Sequence, residues 1–270
     1  MFGKLSTVLL IAALLSACAV SPTGRRQLSL VSEESAIEAS KEAYLTQMNE
    51  LGKTGKLVTD PAIIGRVDRI TGRLVAQAVM LRPETEKWEW SVEVIDDPMT
   101  VNAWCMAGGR MAVYTGLINQ IMPTDDELAQ VMGHEISHAL ANHTAERMSV
   151  AMATQYGVAA AGALSGDNAG LVMGAAAMAA QYAIQLPNSR ASESEADEIG
   201  IQLAAKAGYN PNAAATLWEK MGAVGGEGPP QFMSTHPSPA NRQQKLRELA
   251  PQMMPFYQAA GNPPSRPISR

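Results

Sequence analysis

His134 and His138 stand four residues apart, with Glu135 directly after the first, in the stretch "HEISH" of this 270-residue chain. On a helix that spacing turns about 40° around the axis, so both imidazoles leave one face a turn apart and can share one cation. Glu135 lies about 100° further round, placed to touch a water held by the cation without ligating it. The chemistry open to such a trio is hydrolysis, with zinc activating the water and the glutamate as base. A hydrolytic zinc takes three protein ligands and keeps one position open, so the set as it stands is incomplete. A surface helix with two solvated histidines would carry the same pattern, and the third ligand decides between them.

The chain has four histidines, at positions 134, 138, 143 and 236. His143 suggests an extended three-histidine motif, but that motif has its third histidine ten residues after the first, with a glycine turn between. Here the offset is nine and no glycine intervenes. On a continuing helix His143 would face about 180° away from His134, and it reads as a core or supporting histidine. The better candidate lies in "ESEAD", residues 193–197. Glu193 and Asp197 share one helix face. Glu193 can supply the carboxylate of a His₂Glu zinc set, and Asp197 can accept the N–H of a ligating imidazole and fix its tautomer. Spacing alone leaves a solvated acidic helix start open as the other reading.

The elements that must position these residues are legible in outline. Thr124 and Glu127 form a capping box, with Asp125 and Asp126 complementing the positive end of the helix that begins there. That helix is expected to carry "HEISH" and to run on as far as Met148. Before it, "WEWSVEVI" alternates as a half-buried strand, with Trp88, Trp90, Val92 and Val94 on one face. "TVNAWCM" and "RMAVYTG" flank a glycine turn and read as a hairpin. Helices are expected over residues 32–50 and from Asp60-Pro61 to about Val79. Residues 149–186 are rich in Ala, Gly and Met and broken by "SGDN". Each apolar run is shorter than the roughly 20 residues that cross a bilayer, so a tightly packed helical hairpin is expected, able to cover a cleft or receive unfolded apolar clients. "SRASESEADEIGIQLAAKAGY" forms another helix. "YNPNAAATLWEKM" follows, with Asn210 as cap and Pro211 in the first position. A Gly/Pro-rich loop, "GGEGPPQFMSTHPSPANR", carries His236, and a last helix starts near Ala240. The fold class is α+β, mostly α-helical, with a small antiparallel sheet beside the histidine helix.

Composition is globular, 46% hydrophobic and 17% charged, and the formal net charge of −5 offers no basic patch for a nucleic acid. The N-terminus has Lys4, an apolar stretch over Val8 to Leu15, and then Leu15-Ser16-Ala17-Cys18. This resembles a bacterial lipoprotein signal, which leaves the cysteine as the acylated first residue. Ala19 after the cysteine resembles lipoproteins sent to the outer membrane. The expected organisation is a signal peptide over 1–17, a tether from lipidated Cys18 over 18–31, a peptidase domain over 32–258 and a disordered tail over 259–270. With Cys18 acylated, Cys105 has no partner in the chain and is expected to be buried as a small hydrophobe.

Four stretches, "VNAWCMAGGRMAVYTGLI", "ELAQVMGHEISHALANHTAER", "SRASESEADEIG" and "STHPSPANR", occur in the order found in the zinc metalloendopeptidase family of the CAAX prenyl protease, the heat-shock membrane protease HtpX and the periplasmic proteases BepA and LoiP. The chain resembles that family over about residues 60 to 250, and its soluble periplasmic lipoprotein branch in particular. The resemblance implies a zincin-like catalytic domain, one Zn²⁺ per chain, Glu193 as third ligand and Glu135 as general base. It implies that His236 and Arg242 approach the cleft. His236 would then serve as oxyanion donor, or would cap the open zinc position and hold the enzyme latent. Substrate would bind as an extended strand along the edge around Asn102 and Ala103. The implied role is quality control of misfolded or unassembled envelope proteins at the periplasmic face of the outer membrane. A lipid on Cys18 would hold the protein to the membrane, with the outer-membrane assembly machinery as a partner. The alternative is a periplasmic chaperone or assembly factor whose protease site is mostly silent.

Overall fold

The computed structural model describes residues 18–224, 231–236 and 241–270. The signal segment 1–17, residues 225–230 at the start of the Gly/Pro-rich loop, and Pro237 and Pro239 after His236 lie outside the described residues.

Each long helix begins where its cap dictates. Ser32 Oγ accepts from Ser35 N at the start of α1 (Glu33–Lys53). Asp60 Oδ1 accepts from Ala62 N, 2.8 Å, with Pro61 first in α2 (Pro61–Leu81). At α3 (Asp125–Leu140) Thr124 Oγ1 accepts from Glu127 N and Glu127 Oε2 accepts from Thr124 N, so two orphan donors are satisfied reciprocally. α3 is the centre of the molecule. Every residue from Glu127 to Leu140 is buried, because the sheet, α2 and the helix that carries Glu193 surround it on all sides.

The sheet contains β3 (Ser91–Ile95), β4 (Ala103–Cys105) and β5 (Arg110–Tyr114), in the order β3-β5-β4. The expected hairpin is there: β4 and β5 pair antiparallel, Ala103 opposite Val113, across a turn in which Gly108 and Gly109 both have positive φ. The α+β class holds, but the sheet is mixed and not wholly antiparallel. β3 pairs in parallel with β5, Val92 opposite Met111. The reason is strand order: residues 96–102 carry the chain from β3 past β5, and the hairpin then returns β5 alongside β3 in the same direction.

Both ends of the chain depart from expectation. Residues 18–28 are not a loose tether but a two-stranded hairpin, β1 (Cys18–Val20) and β2 (Arg26–Leu28). The tail 259–270 is not disordered. Ser269 N donates to Trp90 O at 3.1 Å and Val92 N to Ser269 O at 3.3 Å, Arg266 N donates to Gly72 O, and Arg270 pairs with Asp68 at 2.5 Å. These contacts are mainly to backbone along the outer edge of β3, so a segment with no helical or strand pattern can still make them.

α3 does not run on to Met148. It stops at Leu140, Asn142 takes the left-handed conformation at φ 54°, and α4 (His143–Ala163) sets off on a new axis. α4 and α5 (Ala169–Ala180) form the expected hairpin. Its outer face is not packed: Leu164, Leu171, Tyr182 and Met178 are all largely exposed. The path continues through a π-helical segment, Gln181–Gln185, into α6 (Leu186–Lys206), so the hairpin joins the next expected helix without a loop. The run from Gly166 is long and apolar enough to match a membrane span by length and composition. α7 (Ala213–Ala223) starts after Asn212, two residues later than the Asn210 cap predicted. A short helix, α8 (Gln231–Thr235), leads into His236, and α9 (Arg242–Ala259) continues through Pro251 and Pro255.

Candidate metal centre

α3 and α6 cross at two glycines. A Cβ on Gly133 would lie 2.9 Å from Gly200 O, and one on Gly200 would lie 2.8 Å from His134 N. Nothing larger than hydrogen fits at this contact, so the helix backbones touch. One turn on along α3, and two turns back along α6, this approach brings His134, His138 and Glu193 together.

The donor atoms face one another. His134 Nε2 and His138 Nε2 are 3.1 Å apart, and Glu193 Oε2 and Oε1 lie 3.2 Å and 3.4 Å from them respectively. His236 Nδ1 completes the group, 3.3 Å from His134 Nε2 and 3.2 Å from Glu193 Oε1. Four donors held about 2.0–2.2 Å from a zinc at tetrahedral angles lie about 3.3–3.6 Å apart, and the spacings here, 3.1–3.4 Å with both Glu193 oxygens facing in, come close to that. All four residues are buried. Burial alone would raise the Glu193 carboxyl, but hydrogen bonds with His134 and His236 and the charge of His134 hold it far below the usual carboxylate range. Burial and Arg242 oppose a charge on His134, yet Asp197 and Glu193 outweigh them and raise it to about 9. Burial and the charge of His134 keep His138 neutral, well below an ordinary imidazole. Lone pairs crowded in this way fit a shared cation.

Around this group sit the other residues singled out from the sequence. Glu135 is 2% exposed, and its Oε1 comes within 3.3 Å of His236 Nε2 without hydrogen-bond geometry, leaving that oxygen unpartnered among the described residues. Burial raises its pKa above 4.5, which suits a base. Asp197 Oδ1 lies 3.0 Å from His134 Nδ1, the nitrogen on the far side of the ring from the donor cluster. Arg242 donates to the same oxygen at 2.5 Å, reaches Glu193 at 3.4 Å, and packs over Trp218 with its guanidinium carbon 3.9 Å from the ring centroid. His236 stacks on Phe232, centroids 4.6 Å apart, and Phe232 N donates to Val101 O. The segment that carries His236 is thereby tied to the sheet.

A cleft of about 220 Å³ opens beside the donors, bounded by Trp104, Cys105, Arg147, Ser189, Thr235 and Glu135. β4 is its strand wall. Tyr114 N donates to Asn102 O and Met106 N to Arg110 O, so even-numbered residues of β4 turn their backbone groups toward β5. Odd-numbered residues turn theirs toward the cleft. Asn102 therefore offers no free main-chain group there. Its Oδ1 instead accepts from Ala103 N at 3.0 Å. The edge groups facing out are the Ala103 carbonyl and the backbone of Cys105. The Cys105 thiol is buried, as expected, and burial raises its pKa well above 9.

Two further residues, Glu195 and Arg25, emerge that the sequence did not single out, and His143 takes the supporting place expected of it, by a different route. Because α3 stops at Leu140 and the chain turns at Asn142, His143 does not point away: its Nδ1 lies 2.8 Å from His138 Nδ1, and its Nε2 lies 3.1 Å from Glu195 Oε2. Glu195 in turn meets Arg25 of the N-terminal hairpin. The signal for the helix break was Asn142 itself, since asparagine tolerates left-handed backbone better than most residues.

Fold and site together define a helix-rich, zincin-like domain with a buried His/His/Glu donor set that suggests a metal. Residues 62–250 match peptidase family M48, and the chain belongs to that family. Among its relatives, the mitochondrial metalloendopeptidase OMA1 of Schizosaccharomyces pombe is 33% identical over 235 residues, 85% of this chain and 65% of the relative. Human OMA1 is 31% identical over 261 residues, 91% of this chain and 48% of the relative. The β-barrel assembly-enhancing protease of Escherichia coli is 29% identical over 217 residues, 77% of this chain and 43% of the relative. The chain thus spans between about two fifths and two thirds of the length of these relatives.

Proposed function

We propose that this chain is a zinc metalloendopeptidase of the bacterial cell envelope that hydrolyses misfolded or unassembled envelope proteins. The observation that supports the reading is the buried donor set, whose 3.1–3.4 Å spacings are close to those of four ligands around one small cation. His134, His138 and Glu193 are the ligands, and Asp197 holds the His134 ring through its Nδ1. When bound, a zinc ion lowers the pKa of its water to about 7 and polarises the scissile carbonyl. Glu135, buried and with its Oε1 unpartnered among the described residues, takes the proton from the attacking water and passes it to the leaving amine. An extended substrate aligns on the outer edge of β4, bonded by the Ala103 carbonyl and the Cys105 backbone. Arg242 orients Glu193 and Asp197 and adds positive charge beside the oxyanion.

The envelope assignment is supported by the lipoprotein-like "LSAC" ending at Cys18 and by similarity to the β-barrel assembly-enhancing protease of Escherichia coli. Acyl chains on Cys18 would hold the protein at the periplasmic face of the outer membrane, near the assembly machinery. A second reading is favoured by one specific observation: His236 Nδ1 occupies the fourth donor position. In that state the peptidase is latent, and the chain acts as a chaperone or assembly factor. Turnover of casein by the purified protein, with and without chelator and in Glu135→Gln, tests the enzymatic reading. Equal turnover by Glu135→Gln or in chelator would refute it.

A further inference from the structure

The N-terminal hairpin ends on the metal centre. Its turn carries Ser21, Thr23 and Arg25, and all three side chains converge on Glu195. Ser21 Oγ and Thr23 Oγ1 donate to Oε1, and Arg25 Nε donates to Oε2 at 2.6 Å. The rest of the Arg25 guanidinium makes a two-pronged bond to Glu146, at 2.7 Å and 2.5 Å. Both glutamates are buried, Glu195 at 4% exposure and Glu146 at 2%. Glu195 Oε2 also meets His143 Nε2, and His143 Nδ1 meets His138 Nδ1.

We propose that this hairpin is a working part of the metal centre: Arg25, acting through Glu195 and His143, fixes the tautomer and ring orientation of the ligand His138. The inference rests on the metal-centre reading above and follows from proton accounting. His138 points Nε2 at His134 and Glu193, so to ligate it must carry its proton on Nδ1. The two Nδ1 atoms, 2.8 Å apart, share one proton. In one arrangement His138 donates, His143 accepts, and the proton of His143 sits on Nε2, aimed at the Glu195 carboxylate. In the other, His143 donates through Nδ1. Its bare Nε2 then opposes Glu195, and His138 is protonated at Nε2 and cannot bind metal. Glu195 as an acceptor-only carboxylate selects the first, and Arg25, Ser21 and Thr23 hold it in place. His143 is fully buried, so no solvent can substitute for the acceptor it provides. Ligating histidines commonly rest on a carboxylate or carbonyl; here an imidazole stands between, and the carboxylate behind it is gripped from the N-terminus. Arg25, Glu195 and His143 are thus positioning residues.

The test is zinc affinity of the full chain, measured by competition with a chelator, together with the absorption spectrum of the cobalt-substituted protein. His143→Phe and Arg25→Met keep every ligand. His143→Phe should weaken zinc binding about 10–100-fold, and Arg25→Met about tenfold, at the lower end of the range for outer-shell changes. Both should shift the cobalt ligand-field bands. Because Arg25 acts through His143, its effect should vanish in the His143→Phe background, whereas a clasp that only stabilises the fold would add independently. Far-UV circular dichroism checks folding, and Arg25→Met, at the rim of the cluster, carries the test alone should the buried variant not fold. Wild-type zinc affinity and an unshifted cobalt spectrum in Arg25→Met, beside loss of zinc in Glu193→Ala, would overturn the role of the hairpin and leave the metal centre standing. A wild-type chain that binds no zinc would overturn both.

Discussion

Substituting Gly200 by alanine tests whether the helix crossing is what delivers Glu193. The added methyl would lie 2.8 Å from His134 N, 2.9 Å from His134 Cα and 3.0 Å from Gly133 C. These are helix backbone atoms and cannot swing aside. Ordinary carbon contacts begin near about 3.5 Å, so α6 must retreat from α3 by about 0.5–0.7 Å. Metal sites tolerate ligand displacements of about 0.2 Å, so Glu193 moves well outside that limit. Overpacking of this kind costs about 1–3 kcal/mol, and the better helix propensity of alanine returns up to about 1 kcal/mol. With the full return the net is about 0–2 kcal/mol, or a fall in Tm of up to about 8 °C for a domain of this size. Zinc affinity should fall by at least about tenfold, the scale on which misplaced support acts. Chelator competition and thermal unfolding, with and without zinc, measure the two quantities. Gly174→Ala, where an added Cβ meets nothing within 4 Å, should change neither for the worse. A Gly200→Ala protein with lowered Tm but wild-type zinc affinity would refute the idea that this contact positions the ligand.

Other outcomes follow from the same geometry. Glu135→Gln should keep fold and metal but lose hydrolysis, whereas His134→Ala, His138→Ala and Glu193→Ala should lose zinc; full zinc occupancy in Glu193→Ala by metal analysis would remove it from the ligand set. If His236 caps the fourth position, His236→Ala should raise basal proteolysis of casein. A fall of about 10²–10³-fold in kcat with zinc retained would instead assign it to the oxyanion. Burial would raise the Glu195 carboxyl, but hydrogen bonds from His143, Ser21, Thr23 and Arg25 overcome this and lower it to about 2. Its contribution to stability is therefore present above about pH 4.5 and lost as pH falls from there through about 2. In metal-free protein, acid unfolding curves of Glu195→Gln should converge on wild type across that window, and a constant gap would contradict the assignment. Cys18→Ser should abolish palmitate labelling and release the protein from the membrane fraction.

What could be read from the sequence was local. Ser32, Asp60 and Thr124 announced their helices because a cap acts within three residues, and the HEISH spacing placed two imidazoles on one face because a helix repeats within two turns. Asp197 could be paired with a ligand because it lies one turn from Glu193. The misjudged segments depend on remote partners. The parallel pairing of β3 and β5 follows from strand order, which alternation does not encode. The tail at 259–270 lacks a pattern of its own because it only completes another strand's edge.

His143 joins the two kinds of information. Extending a regular helix turned it about 180° from the metal, and the inference failed at one residue, Asn142, whose backbone at φ 54° re-aims everything after it. That turn is itself held from afar: Gln27 donates to Ala141 O at 2.7 Å, Arg82 to Leu140 O at 2.6 Å, and Asn142 to Glu33 at 2.9 Å. The carbonyls at the end of α3 are thus satisfied by a residue of the N-terminal hairpin and by the residue that follows α2, more than fifty positions away in sequence. The ligands of this centre sit on regular helices and leave a periodic trace. Their supports come from wherever a donor can reach the interrupted helix end, as Arg25 does across 170 residues to Glu195. Such supports have no period, and only the folded chain identifies them.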